Sequence, residues 1–440
     1  MKQARQFPRV IVTKKAARAL KGGHLWVYAG EVMRLEPAAD GRLAVDGDVV
    51  DVLEENGTWQ GAGLFSPAST LQVRIVSRNA NDRFDDAFWR RRLRWSWEHR
   101  KTTMGRRLLP GAEPDTNCCR IVFSEADGLP GLVVDRYEDV LVTQVGTVGM
   151  ERLRPVIYPL LLDVLADDGV RIRGIFERND APSRAKEGLG AYKGWYEGIP
   201  GIAGGASAAA GAHVLAHENG IAYDIDLENS QKTGFFLDQK YNRRAVRQIA
   251  DGRRVLDCFC HVGPFGLNAL AGGASYVRFV DASQTALDLA RQNARRNGWL
   301  EDGRDANKNV GFTCANVLEY LPRMMGDPTL PSAEGGPFDL IVLDPPAFTK
   351  SRRTIRHAAR GYREVNEAAL RLLPRGGYLA TCSCSHFMTR DGLAQAVAEA
   401  AHGAQVQLKQ VEERQQAPDH PILWGMPETH YLDFFVFQVV

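Results

Sequence analysis

One stretch, residues 252–297, constrains the fold more than any other part of the sequence. Residues 255–259 have the apolar, β-favouring composition of a buried strand, and the loop 261–266 follows them. A short helix and two glycines come next, and residues 276–280 form a second strand that ends at Asp281. This order predicts a βαβ unit, in which an acidic residue after the second strand is placed to accept hydrogen bonds from ribose hydroxyls.

The loop of this unit indicates which kind of cofactor it holds. A dinucleotide fold uses G-x-G-x-x-G so that backbone amides approach a pyrophosphate, but here Gly263 is followed by Pro264, which has no N–H. Asp257, at the mouth of the loop, would also repel phosphate. A cofactor with a cationic amino group and no phosphate fits better, and we predict S-adenosylmethionine. The alternative is an ordinary βαβ unit with a glycine turn.

The composition sets the broad class of the protein. A chain of 440 residues with 44% hydrophobic and 25% charged residues is typical of a globular protein with two or three domains. No apolar run approaches the ~20 residues that span a bilayer, and no secretory signal is evident, so we expect no membrane partner. The seven cysteines have neither disulfide nor zinc-finger spacing, so we expect a reducing cytoplasm and predict no metal site. The net charge of +2 leaves nucleic-acid binding to local basic patches.

The chain divides into four predicted regions. Residues 1–77 contain short strands, turns and a basic helix at Lys14–Lys21, which suggests a small RNA-binding β-barrel, although the helix could equally be a solvated surface element. Residues 78–200 form a central α+β domain for RNA positioning, whose first helix carries arginines at 90–94 opposite an apolar face. Residues 201–217 are an Ala/Gly-rich linker, and residues 218–440 form the cofactor domain.

Strands alternate with helices in the last region, which predicts a doubly wound α/β sheet with ligands at the carboxyl ends of its strands. The predicted elements include a helix at 242–249, a strand at 312–316 and a helix at 362–373. The strand ends supply the first candidate site residues, namely Asp257, Asp281, Asn316, Asp344 and Cys384. The loops at these ends add cofactor-binding candidates, namely Phe259, His261, Gly263, Phe265 and Pro345.

A polar, glycine-containing segment lies directly upstream of the cofactor unit, at residues 228–240. We predict that it closes over the cofactor, with five contributing residues: Thr233, Phe235, Asp238, Gln239 and Lys240. The alternative is a structural loop that leads into the next helix.

Together these features resemble a known family. The principal motifs are residues 257–265, Asp281, Asp344-Pro345-Pro346-Ala347-Phe348 and residues 381–385, with supporting stretches at 24–27, 66–69, 125–131, 232–239 and 360–362. They look like those of class I RNA methyltransferases, and more narrowly the chain resembles the bacterial 23S rRNA cytosine-C5 methyltransferases with an N-terminal PUA domain. The likeness covers nearly the whole chain. Two positions depart from the family pattern, since Pro264 replaces a glycine and Asn316 an acidic residue.

The resemblance implies an S-adenosylmethionine-dependent enzyme that acts on single-stranded or unassembled large-subunit rRNA, and a homodimer is compatible with it. It places the catalytic nucleophile at Cys384. The chemistry of cytosine supports a cysteine, because addition of a thiolate to C6 turns C5 into a nucleophile. Cys382 is the rival, although it would lie within the strand, and either thiol could be a buried inert cysteine. Asp344 is the second catalytic candidate, either holding the cytosine or contacting the cofactor.

Two other functions remain open at this stage. A guanine or adenine N-methyltransferase also uses a loop of the Asp-Pro-Pro-aromatic type, but here Ala347 separates Pro346 from Phe348, and an exocyclic amine needs no cysteine. A non-catalytic RNA-binding protein would keep the barrel and would have no need for Asp257, Asp281 and Cys384 together at strand ends.

Overall fold

The structure is a computed structural model that describes residues 5–105, 108–109, 115–200, 202, 212–229, 233–303, 307–349, 352–385 and 387–440. Most of the predicted linker, 201–217, lies outside the described residues, as does Lys232. The chain divides into two compact units. The first comprises Met1–Ala216, Ile225–Leu237 and Pro418–Thr429, and the second comprises His217–Asp224, Asp238–Ala417 and His430–Val440.

The first unit begins with a six-stranded sheet of short strands. These are β1 (Arg9–Val12), β2 (Trp26–Tyr28), β3 (Val32–Glu36), β4 (Val49–Glu54), β5 (Trp59–Phe65) and β6 (Leu71–Ser77), in the order β2-β6-β5-β4-β1-β3. The predicted basic helix is present as α1 (Lys14–Lys21), which starts where the Thr13 hydroxyl accepts from the Ala16 amide at 3.3 Å. Its buried face, including Leu20, packs into a core with Val10 and Val27.

A second sheet in this unit has five strands and two long helices. The elements are α2 (Asp86–Met104), β7 (Cys118–Phe123), β8 (Leu132–Tyr137), β9 (Val140–Val145), α3 (Val148–Ala166), β10 (Gly174–Asn179) and β11 (Tyr192–Trp195). The strand order is β11-β10-β9-β8-β7, and α3 connects the parallel pair β9 and β10. The predicted apolar face of α2 is confirmed, because Phe88, Trp89, Leu93 and Trp97 are buried in the core of this sheet.

Most of the arginines of α2 bind carboxylates of the same unit. Arg90 lies 2.7 Å from Asp167, which also pairs with Arg94, and Arg91 lies 2.9 Å from Asp82. Much of the charge that the sequence offered to a phosphate backbone is therefore balanced within the protein.

The second unit is dominated by a seven-stranded sheet. A two-stranded hairpin of β12 (His213–Glu218) and β13 (Ile221–Asp226), whose residues are divided between the two units, precedes this sheet in the sequence. The strands of the large sheet are β14 (Arg254–Cys258), β15 (Tyr276–Asp281), β16 (Val310–Cys314), β17 (Leu340–Leu343), β18 (Tyr378–Ser383), β19 (Leu408–Gln415) and β20 (Asp433–Val439). Its helices are α4 (Lys240–Gln248), α5 (Pro264–Ala271), α6 (Gln284–Arg296), α7 (Val317–Gly326), α8 (Leu330–Ala333), α9 (Ile355–Leu372) and α10 (Arg390–Ala404).

The strand order of this sheet determines where ligands bind. The order is β16-β15-β14-β17-β18-β20-β19, with β14 to β18 parallel and β20 antiparallel to its neighbours. The chain leaves β14 toward β15 and β16 and then returns to β17 on the other side, so the connections reverse between β14 and β17. The predicted doubly wound sheet is confirmed, and its switch point lies at the carboxyl ends of these two strands.

No helix in the described parts of the chain is both long and apolar enough to cross a membrane.

Candidate functional site

The candidate site lies at the carboxyl edge of the parallel strands in the second unit. Asp257 and Asp281 lie at the carboxyl ends of the neighbouring strands β14 and β15. Asp344 and Cys384 directly follow β17 and β18. Asp344 is tied to β14 through its backbone amide, which donates to the Cys258 carbonyl at 3.4 Å. The predicted strand-end residues are therefore brought to one edge of the sheet.

The loop after β14 has an unusual backbone. Phe259 (φ 60°), His261 (φ 50°) and Gly263 (φ 84°) all have left-handed backbone conformations, which residues other than glycine rarely adopt. Strain of this kind persists only where the surroundings impose it, and it concentrates at functional sites. Here the backbone amide of Cys260 donates to Val280 at 3.1 Å, which fastens the loop to β15.

Asp257 is a buried acid with one unused oxygen. Its Oδ2 accepts from the Gly266 amide at 2.8 Å, while its buried Oδ1 has no hydrogen-bond partner among the described residues. Burial raises the pKa of this carboxyl to about 8, and the negative charges of Asp344 and Asp281 contribute in the same direction. A positively charged ligand group at Oδ1 would supply the missing partner.

Asp281 shapes the same loop from the next strand. Its Oδ2 accepts from the His261 amide at 2.9 Å, and its Oδ1 accepts from the Ser283 amide at 2.8 Å. Each carboxylate oxygen has a second lone pair, so both oxygens retain the capacity to accept a ribose hydroxyl.

Asn316 has a structural role at the end of β16. It is the N-cap of α7, where its side-chain oxygen accepts from the Leu318 amide and its nitrogen donates to Glu319, both at 3.1 Å. The residue is exposed, and α7 points its N-terminus toward this edge of the sheet. Contact with the cofactor stays a prediction for this residue.

Asp344 belongs to a hydrogen-bond network. Gln239 Nε2 donates to Asp344 Oδ1 at 3.1 Å, and the Cys382 thiol donates to the same oxygen at 2.9 Å. Gln239 is itself oriented by Asn242, whose Nδ2 donates to its side-chain oxygen at 2.6 Å. Burial raises the pKa of the Asp344 carboxyl, although the two hydrogen bonds oppose that rise.

The two candidate cysteines differ in surroundings. Cys382 is buried in β18, and burial together with the nearby Asp344 charge raises the pKa of its thiol well above the ordinary range. Cys384 is partly exposed just beyond the strand, with its Sγ 3.9 Å from the Pro345 carbonyl oxygen. A thiol that must meet a substrate needs access, which Cys384 has and Cys382 lacks.

The upstream segment is divided between the two units. Thr233 and Phe235 belong to the first unit, where the Thr233 hydroxyl binds Asp135 and the Phe235 amide donates to Tyr137 at 3.1 Å. Asp238, Gln239 and Lys240 belong to the second unit and are buried.

Within the second unit, two of these predicted residues have clear neighbours. The Asp238 carboxylate accepts from the Tyr431 hydroxyl at 2.7 Å, and Lys240 opens α4 with its ammonium group 5.4 Å from the Tyr241 ring. The ring of Phe265 is buried and stacked on the ring of Phe434, with 6.1 Å between the two centroids. This ring therefore contributes to the packing beneath the site. Its contact with the cofactor stays a prediction.

S-adenosylmethionine fits the residues that this edge presents. Its ammonium group matches the unpartnered Oδ1 of Asp257, and its ribose hydroxyls match the acceptors of Asp281. Pro264 at the first turn of α5 removes an amide that a phosphate would have used. Charge and hydrogen-bonding capacity therefore favour this cofactor over a dinucleotide.

Comparisons with known proteins identify the family. A profile described as S-adenosylmethionine-dependent methyltransferase matches residues 211–426, and a PUA-like domain profile matches residues 10–78. A Shewanella denitrificans protein named ribosomal RNA large subunit methyltransferase I is 37% identical over 423 residues, which cover 96% of this chain and 97% of that protein. A Klebsiella pneumoniae protein of the same name is 33% identical over 435 residues and 99% of both chains. The chain belongs to this methyltransferase family.

Solved structures agree on the fold. A sam-dependent methyltransferase structure from Streptococcus mutans superposes with a TM-score of 0.74 at 19% identity, covering 98% of this chain and all of the other. A methyltransferase crystallised with SAH gives a TM-score of 0.75 at 18% identity, with the same coverage. The cofactor of this methyltransferase is S-adenosylmethionine, as the sequence predicted.

Sequence reasoning missed a buried ion pair beneath the methyltransferase site. Arg243 in α4 lies 2.7 Å from Glu218 of β12, and both side chains are fully buried. The Arg243 guanidinium also lies 5.9 Å from the Phe265 ring. The sequence gives little indication of this pair, because an arginine in a basic helix is normally expected to be solvated. Only the folded structure shows that Arg243 is buried against Glu218.

Proposed function

We propose that this methyltransferase forms 5-methylcytosine in large-subunit ribosomal RNA by covalent catalysis, with Cys384 as the nucleophile. The observation that carries the proposal is the partly exposed Cys384 thiol at the carboxyl edge of the cofactor sheet, 3.9 Å from the Pro345 carbonyl oxygen. The substrate follows from the relatives, whose names specify ribosomal RNA of the large subunit.

Cytosine C5 is a poor nucleophile, which is why a thiol is needed. The Cys384 thiolate adds to C6, a C6–S bond forms, and the electron pair of the C5–C6 double bond becomes available at C5. S-adenosylmethionine, when bound, would supply the methyl group, which C5 would take up with this electron pair as the sulfonium–methyl bond breaks and S-adenosylhomocysteine leaves. Loss of the C5 proton to a base then restores the double bond, the C6–S bond breaks, and the electron pair returns to sulfur as the free thiolate.

Asp344 is suited to hold the target base beside this thiol. Its carboxyl is fixed by Gln239 and Cys382, and burial raises its pKa, so it retains a proton more readily than an exposed aspartate. A protonated carboxyl donates a hydrogen bond to cytosine N3, which draws electron density from C6 and favours thiolate addition. In its ionised form the same group accepts from the exocyclic amine.

Cys382 acts as a positioning residue in this scheme. Its thiol donates to Asp344, and burial raises the pKa of this thiol well above its ordinary range, which disfavours the thiolate that attack requires. Its removal should disturb the orientation of Asp344 without removing the nucleophile.

The test is product analysis with a matched pair of cysteine variants. Ribosomal RNA from a strain that lacks the enzyme is incubated with cofactor and protein, then digested to nucleosides and measured by mass spectrometry. We expect 5-methylcytidine with the wild type, none with Cys384→Ala, and a reduced but clear amount with Cys382→Ala. Methylated guanosine or adenosine, with both variants active, would contradict C5 chemistry and favour transfer to an exocyclic amine at the Asp344-Pro345-Pro346 loop.

A further inference from the structure

A groove in the first unit combines exposed indole rings with arginines. It has a volume of about 640 Å³, within the range of ligand sites, and it continues across Trp95 into a second depression of about 420 Å³. Arg78, Arg92 and Trp95 line both parts, and Trp424 lines the larger one. We call these four residues the tryptophan groove.

Two tryptophans on this surface are unusually accessible. Trp424 is 96% exposed and Trp95 is 55% exposed, although Trp89 and Trp97 on the same helix as Trp95 are buried core residues. A soluble protein normally covers its largest apolar side chains, so two such rings in one groove indicate a surface that binds something.

The backbone beside Trp424 is held firmly. Gly425 packs so closely on Gly23 that a Cβ at Gly425 would lie 2.7 Å from the Gly23 carbonyl oxygen and collide with it. The Met426 sulfur accepts from the Leu25 amide at 3.2 Å, and Met426 is fully buried. The exposed indole is therefore presented on a fixed loop, which reduces the entropy lost when it stacks on a ligand.

The arginines of the groove bind neutral acceptors. Arg78 donates to the His24 carbonyl at 2.9 Å, and Arg92 donates to the Val76 carbonyl at 2.7 Å. The buried Nε of Arg92 has no hydrogen-bond acceptor within the described part of the chain, and burial lowers the pKa of both guanidinium groups. Both groups would gain from an anionic partner.

The nearby acids are already engaged. Asp127 accepts from Arg100 in a two-bonded pair at 2.5 and 2.7 Å, and Asp82 binds Arg91 at 2.9 Å. The Glu125 carboxylate accepts from the Trp26 indole at 3.0 Å. Arg78 and Arg92 donate to carbonyls instead, so their positive charges are available to a ligand.

We propose that the tryptophan groove binds an unpaired nucleotide of the substrate RNA, with its base stacked on Trp424 and its phosphate contacted by Arg78 and Arg92. This inference rests on the proposed function, because it assigns part of the RNA-binding surface of the same enzyme. Every base has an aromatic face, so such a site accepts single-stranded RNA with little regard to sequence. A duplex hides those faces in its stack and fits poorly.

The first test measures binding of the full-length protein to a fluorescein-labelled, 12-nucleotide single-stranded RNA of mixed sequence. Trp424→Ala should weaken binding by about 5-fold to 150-fold, the range for loss of one stacked base. Trp424→Phe and Trp95→Phe, which keep an aromatic face, should retain most of the affinity. Leu43→Ala is the matched control, since Leu43 is 65% exposed in the same unit but does not line the groove.

The contribution of the arginine charge to RNA binding is measured by its salt dependence. Arg78→Gln should lower the slope of log affinity against log salt by about 0.7, which corresponds to one phosphate contact on a single strand. The same RNA annealed to its complement should bind more weakly to the wild type and should be insensitive to Trp424→Ala. An unchanged slope together with unchanged affinity in Trp424→Ala would overturn the proposal.

Two further outcomes separate this proposal from its competitors. If the wild type associates with itself in light scattering and Trp424→Ala abolishes that association while RNA affinity is unchanged, the groove holds a second copy and the proposal fails. If the tryptophan variants bind RNA normally and the wild type still makes 5-methylcytidine, the groove assignment fails and the proposed function stands. A wild type that binds the RNA through the groove but transfers no methyl group would leave the groove assigned and remove the proposed function.

Discussion

Asp257→Asn should make the protein more stable and weaken its binding of S-adenosylmethionine. Burial raises the pKa of the Asp257 carboxyl from 3.8 to about 8. Each pKa unit corresponds to about 1.4 kcal/mol, so the ionised carboxylate destabilises the unliganded unit by about 6 kcal/mol once the pH exceeds 8. Asparagine keeps the shape and the acceptor for the Gly266 amide but carries no charge.

The sign of the pH dependence follows from proton binding. The unfolded carboxyl loses its proton near pH 4 and the folded one near pH 8, so the folded state binds more protons between these values. Stability attributable to Asp257 is therefore complete below about pH 4 and is lost as the pH rises toward 8. The asparagine variant does not titrate and lacks this loss.

The assay is thermal unfolding of the unliganded protein at pH 5 and pH 8, with calorimetry of S-adenosylmethionine binding at pH 7. The melting temperature of Asp257→Asn relative to the wild type should rise between the two pH values by on the order of 10 °C. Its cofactor affinity should fall about 10-fold to 150-fold, the value of one charge-assisted hydrogen bond. A difference in melting temperature that does not change with pH would refute this account of Asp257.

Two other substitutions test the same site. Asp281→Ala should weaken S-adenosylmethionine binding at least tenfold in calorimetry, because the ribose loses its acceptors and the loop loses the anchors at His261 and Ser283; unchanged affinity would remove Asp281 from the site. Arg243→Met should lower the free energy of unfolding by about 3–5 kcal/mol, since Glu218 would stay buried without its partner. Adding Glu218→Leu should restore much of that loss, and failure to do so would show that the pair is not the cause.

The strand-end residues were predictable because parallel strands bring their carboxyl ends to one edge. Asp257, Asp281, Asp344 and Cys384 each follow an apolar run, and that pattern alone placed them together. The network around Asp344 was not predictable in the same way. Gln239 and Cys382 are 143 residues apart in sequence, and only the packing of α4 against the sheet brings their side chains within 3.3 Å.

Several elements were missed or misplaced for local reasons. Helix α7 (Val317–Gly326) contains Pro322, which masks its periodicity, and the sequence predicted a strand as far as Asn316 although β16 ends at Cys314. The predicted helix at 362–373 begins earlier, at Ile355, because Arg356, His357 and Arg360 interrupt the apolar pattern of its first two turns. The structure starts α4 at Lys240, two residues before the predicted start.

Trp95 illustrates the limit of pattern reasoning in the first unit. The sequence predicted an apolar face for α2, and Trp89 and Trp97 are buried there, but Trp95 is exposed. Helical spacing places Trp95 seven residues after the buried Phe88, at the edge of that face. It could not have shown that a loop more than 300 residues later, carrying Trp424, lines the same groove.

The central claim, covalent attack by Cys384, is tested most directly by trapping the intermediate. RNA with 5-fluorocytosine at the target position is incubated with enzyme and S-adenosylmethionine, and the products are separated under denaturing conditions and mapped by mass spectrometry. Fluorine cannot leave C5 as a proton does, so elimination is blocked. We expect an adduct on the sulfur of Cys384. The adduct should form with Cys382→Ala and should be absent with Cys384→Ala. An adduct that maps to Cys382, or rapid methylation of this RNA without any adduct, would contradict the account.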